Sequence, residues 1–104
     1  MADAILGRAK YPDERLVIAW DFIDDLDADD SLKAVGATDS RVKATNQAGT
    51  DVSTTVLEGA VVFETQLRVI LKAGAAGDDL LIRFIGETTL GSQFERVVSV
   101  RVRA

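Results

Sequence analysis

The chain has 104 residues, a formal net charge of −5, 47% hydrophobic residues, and neither cysteine nor histidine. That length fits one domain with its own core, and the missing cysteines exclude a disulfide framework and a thiolate metal site. The missing histidines remove the commonest general base, metal ligand and near-neutral proton switch, while the acidic balance repels a nucleic-acid backbone.

Residues 1–10 show no clear period and are expected to form an N-terminal arm, with Ile5 and Leu6 as an apolar handle. No basic residue precedes Ala4-Ile5-Leu6, so a secretory signal is not expected, and no apolar run approaches the roughly 20 residues of a membrane-spanning helix. Tyr11-Pro12-Asp13-Glu14 reads as a turn, because the only proline fixes its own φ and biases Tyr11 to an extended form. Arg15–Phe22 follows as a strand with Leu16, Ile18, Trp20 and Phe22 on one face, and Val17, Ala19 and Asp21 on the other.

Ile23–Ser31 contains Asp24, Asp25, Asp27, Asp29 and Asp30; it fits a loop, or one helical turn around Leu26. Leu32–Thr38, Arg41–Thr45 and Thr54–Leu57 are short strand candidates, with a turn at Asn46–Ser53. Gly59 is expected to break the chain before its strongest run, Val61–Lys72, read as one strand in which Leu67, Val69 and Leu71 alternate with Arg68, Ile70 and Lys72. A glycine-rich loop at 73–78 leads to the last two strands, Leu80–Gly86 and Phe94–Arg103. In the latter, Val98, Val100 and Val102 oppose Ser99, Arg101 and Arg103. Some seven short strands at such spacings predict an all-β sandwich over residues 11–104.

Chemistry is sparse. Asp25-x-Asp27-x-Asp29 opens like a calcium loop, but Asp30 stands where that loop needs glycine and Gly36 where it needs glutamate, so no metal site is expected. Gly74 and Gly77 are followed by Asp78-Asp79, which would repel a phosphate. Seventeen acidic residues are present, but no spacing positions a glycosidase pair. A carbohydrate-binding module needs exposed aromatics, yet Trp20, Phe22, Phe63, Phe84 and Phe94 fall on inward faces or strand ends, leaving Tyr11 as the exposed one. No catalytic residue, cofactor or metal is therefore assigned, and the chain is not expected to be an enzyme.

Ile70, Leu81, Ile85 and Val97 occupy outward strand positions that should be polar. Either they form a contiguous docking patch on one sheet, or the register of some strand is shifted by one residue and they turn inward.

With these residues in place, the chain resembles the small fiber–tail adaptor proteins of tailed phages. The resemblance runs from Lys10 onward. It is carried by Pro12-Asp13-Glu14 before Leu16-x-Ile18-x-Trp20-Asp21, then Leu26 and Asp30-Ser31-Leu32. Further on come Val69-x-Leu71-x-Ala73-Gly74, Gly77 before Leu80-x-Ile82, Gly91, and Val98-x-Val100-x-Val102. Leu80 stands where the family usually has tyrosine, and Ala75 replaces a glycine or small polar residue. The resemblance implies an immunoglobulin-like sandwich of about seven antiparallel strands. It also implies a non-enzymatic virion protein joining a tail fiber or spike to the tail or portal-proximal adaptor, in multiple copies forming a symmetric ring. Its partners would be other virion proteins, with no nucleic acid and no membrane, and its interface candidates are Ile5, Leu6, Tyr11, Ile70, Leu81, Ile85 and Val97. The alternative is a capsid decoration protein of the same fold.

Overall fold

The computed structural model describes residues 4–5, 10–36 and 41–103, with the side chain of Ile5 outside the description. The strands are β1 (Ala4–Ile5), β2 (Leu16–Asp21), β3 (Val42–Thr45), β4 (Leu57–Phe63), β5 (Gln66–Leu71), β6 (Asp79–Glu87) and β7 (Gln93–Arg101), with a single helical turn α1 (Ser53–Val56). They form two sheets, β1-β7-β6-β3 and β2-β5-β4, packed face to face as an all-β sandwich. The pairings are antiparallel except β1 with β7, which is parallel, so the expectation of antiparallel strands throughout is corrected at that edge.

Alternation places the core. Ile18, Leu67, Val69 and Leu71 from one sheet meet Val42, Ala44, Leu80, Ile82, Phe84, Val98 and Val100 from the other, and Phe22 and Val102 extend the cluster at the strand ends. Trp20, expected in the interior, is half-buried and packs against the cluster from its rim. Every buried side-chain nitrogen or oxygen of the described residues has a hydrogen-bond partner.

Four expectations change. The run Val61–Lys72 is a hairpin rather than one strand: Glu64-Thr65 turns the chain between Phe63 and Gln66, with Glu64 at a left-handed φ of 55°. Gly59 does not end a strand but sits inside β4 at a register shift between Glu58 and Val61, where its φ of 67° suits a bulge. Thr54–Leu57 is largely α1, because the Asp51 carboxylate accepts from the Ser53 N–H and hydroxyl and starts a turn that overrides β-branched preference.

Leu32–Thr38 forms no strand among its described residues. Leu32 makes an isolated bridge to Thr88, and the carbonyls of Lys33 and Ala34 accept from the buried Arg41 guanidinium instead of from a neighbouring strand. Of the first ten residues, the three described ones meet β7 or the residue just after it. Ala4 and Ile5 pair with Val98 and Ser99, and Lys10 bridges Val102.

Candidate docking faces

A sandwich has two outer faces, and this one carries apolar side chains on both. On the larger sheet, Leu81, Ile85 and Val97 point outward among Arg83, Glu95 and Ser99, with Leu81 39% exposed and the other two half-buried. The Arg83–Glu95 ion pair, at 2.7 Å, separates Leu81 from Ile85. Ile70 does not belong to this patch: it lies half-buried on β5 in the smaller sheet, so the four-residue patch expected on one sheet is divided between two. The register of β6 and β7 is the expected one, with Leu80, Ile82, Phe84, Val98 and Val100 inward.

The smaller sheet holds the more apolar face. Val17 pairs with Ile70, and Val61 with Arg68, along outward positions that also hold Ala19 and Phe63. Val17 is 70% exposed, Phe63 50% and Val61 48%. Phe63, expected on an inward face or strand end, lies under the Arg68 guanidinium, 4.3 Å from the ring centroid. Its exposure follows from the hairpin. Val62 pairs with Leu67 on the inner face, and the odd spacing between these two inward residues is the phase break that marks a turn inside the run.

Of the remaining expected interface residues, Tyr11 is half-exposed in its turn, with the Arg103 guanidinium 5.6 Å from its ring. Ile5 is placed by its backbone opposite Ser99. Leu6 lies outside the described residues.

The acidic stretch works as a latch. Asp25 accepts from Arg96 at 2.6 Å, tying the loop to β7. Asp30 accepts from the backbone N–H groups of Ser31 and Leu90 and from the Thr89 hydroxyl, tying it to the β6–β7 turn. Desolvation pushes the Asp30 pKa up, but hydrogen bonds from Thr88, Ser31, Leu90 and Thr89 together outweigh it and hold the carboxyl below its ordinary value. Among the described residues no three acidic side chains converge in a cation-binding group.

A cleft of about 200 Å³ opens between β3 and β4 beside α1, lined by Val42, Leu57, Ala60, Val69 and the small polar Ser53 and Thr54. Its one ionisable side chain, Glu58, is ion-paired to Arg15 and to Lys72. Such a cleft can seat an aliphatic side chain and holds no acid–base pair. Sequence reading missed both the Phe63–Val61–Val17 face and this cleft, since each depends on the hairpin and the bulge. No protein-family model, no curated protein and no solved structure matches the chain.

Proposed function

We propose that this protein is a non-enzymatic connector in the virion of a tailed phage, made in the host cytoplasm and joining a fiber or spike to the tail or portal-proximal adaptor in several copies. The observation that carries the reading is that apolar side chains stand exposed or half-exposed on both outer faces of one small sandwich. A connector must hold two neighbours at once, and exposed apolar patches mark protein contacts. An immunoglobulin-like fold is part of the proposal. Its support is the strand order, since β2-β5-β4 and β7-β6-β3 follow the B-E-D and G-F-C orders of that fold, with β1 added parallel to the last strand. The tail location rests on the resemblance of residues from Lys10 onward to the adaptor proteins.

The test replaces Leu81 and Ile85 together by glutamate. Both side chains lie on the outer face, so the fold is expected to persist by circular dichroism while fiber incorporation into particles is lost. Normal fiber incorporation by the folded variant would overturn the reading. Finding the protein on the head shell instead of the tail would replace it with capsid decoration.

A further inference from the structure

The charges at the two ends of one outer face name its occupant. On the β2-β5-β4 face, Val17, Val61, Phe63 and Ile70 form an apolar band between two charged ends. At one end Arg15 and Lys72 flank Glu58, leaving one cation in excess. At the other end stand Asp21 and the turn residue Glu64, with the Arg68 guanidinium over the Phe63 ring and donating to Gln66, which leaves one anion in excess. Asp21 is kept ionised there, because the Thr65 hydroxyl and the Ile23 N–H donate to it and lower its pKa.

We infer that this face docks onto the same face of a second copy of the chain, in a two-fold pair with the strands of the two copies running antiparallel across the contact. A two-fold axis lying in the interface and across the strands sets the cationic end of each copy over the anionic end of the other, twice per pair. The apolar bands then cover one another. A face with opposite charges at its two ends is self-complementary under that operation, which is the requirement of an isologous contact. Face-to-face sheets pack in this way, with strand directions within about 30° of alignment.

Size sets the strength. Six-residue strands at about 3.3 Å per residue, three abreast at about 4.8 Å, give a footprint of about 300 Å². That is less than half of the roughly 800 Å² per partner in a standard interface, so the pair is reversible. Two copies paired in this way present their Leu81–Ile85–Val97 faces on opposite sides, so the pair rather than the single sandwich meets the connector's two neighbours, and to that extent the inference rests on the connector reading.

Sedimentation equilibrium of the full chain, from micromolar to millimolar concentration, is expected to show a monomer–dimer equilibrium. Phe63→Ser should weaken it by about ten-fold or more, with an unchanged circular dichroism spectrum. Arg15→Asp and Asp21→Arg should each weaken pairing alone, and an equimolar mixture of the two variants should restore it, because each then meets its opposite charge. Glu64→Lys replaces Asp21→Arg if loss of the Thr65 bond unfolds that variant. A chain that stays monomeric throughout, a dimer indifferent to Phe63→Ser, or a mixture no tighter than its components would overturn the inference. None of these outcomes touches the connector reading, which is judged by fiber incorporation in the Leu81 and Ile85 variants.

Discussion

Lys10 has no exposed surface, and its ammonium donates to the carbonyls of Tyr11 at 2.8 Å, Pro12 at 3.0 Å and Ala73 at 2.5 Å. Burial lowers its pKa, while Glu14 and Asp13 pull the other way. The side chain thus plugs the point where the turn at 11–14 meets the loop after β5. Lys10→Met removes the donor that all three carbonyls share, and a buried acceptor left without a partner costs free energy. A loss of about 1–3 kcal/mol in urea denaturation is expected; an unchanged midpoint would mean that water serves those carbonyls equally well.

Asp30 ties its loop to the β6–β7 turn through its carboxylate. Its folded pKa lies below the ordinary aspartate value, as do those of Asp21, through Thr65 and Ile23, and Asp51, through the Ser53 hydroxyl and N–H. A carboxyl with a lowered folded pKa contributes stability that is fully present above its unfolded value of about 3.9. That contribution is lost as pH falls through the folded value. The urea midpoint should therefore fall between neutral pH and about pH 2, with Asp30→Asn showing a shallower decline than the parent chain. Equal declines in the two proteins would remove Asp30 from the acid response.

At the scale of elements, β6 meets the loop after β2 through Gly86 and Phe22. A Cβ added at Gly86 would stand 2.9 Å from the Phe22 ring, and both residues are buried. Gly86→Ala is expected to cost about 1–3 kcal/mol by overpacking. Adding Phe22→Leu should return part of that loss, because the smaller side chain vacates the contested space. Additive losses in the double variant would show that the two sites are independent.

The same scale shows what the sequence makes legible. β2, β6 and β7 each bury one face along six to nine residues, so strict alternation exposes them and their inward residues. The β4–β5 hairpin hides because its turn is Glu64-Thr65, without the glycine or asparagine that a left-handed φ favours, and because apolar residues on both faces of β4 blur the alternation. α1 hides behind β-branched residues, and the segment after Leu32 is held by the guanidinium of Arg41, which stands just before β3. The docking faces follow from these elements: Leu81, Ile85 and Val97 were readable from β6 and β7, whereas Phe63 and Val61 required the hairpin.

Across the molecule, among the described residues, only β4 with β5 and β6 with β7 are strands neighbouring both in sequence and in a sheet. β2 finds its partner β5, and β3 its partner β6, only across long stretches of chain, and β1 pairs with the final strand. Closing such long loops before any contact rewards them slows folding, so refolding in milliseconds to seconds is expected by stopped-flow fluorescence of Trp20. Completion within microseconds would mean that the transition state is built from the two hairpins alone.

The parallel pairing of β1 with β7 matters for the protein on the ribosome. Strands emerge in order, and β1, β2 and β3 leave the exit tunnel before any of their sheet partners exists. Ala4–Ile5 wait longest, since their partners Val98 and Ser99 lie in β7, the last of these strands to emerge. Until β5 appears, the nascent chain carries four strands, β1 to β4, with open edges, the kind of segment that pairs with neighbouring chains. Asp24, Asp25, Asp27, Asp29 and Asp30 lie between the second and third of these strands. Charges flanking an unsatisfied apolar strand hold nascent chains apart, so the stretch that later latches the folded loop first guards the unfinished one.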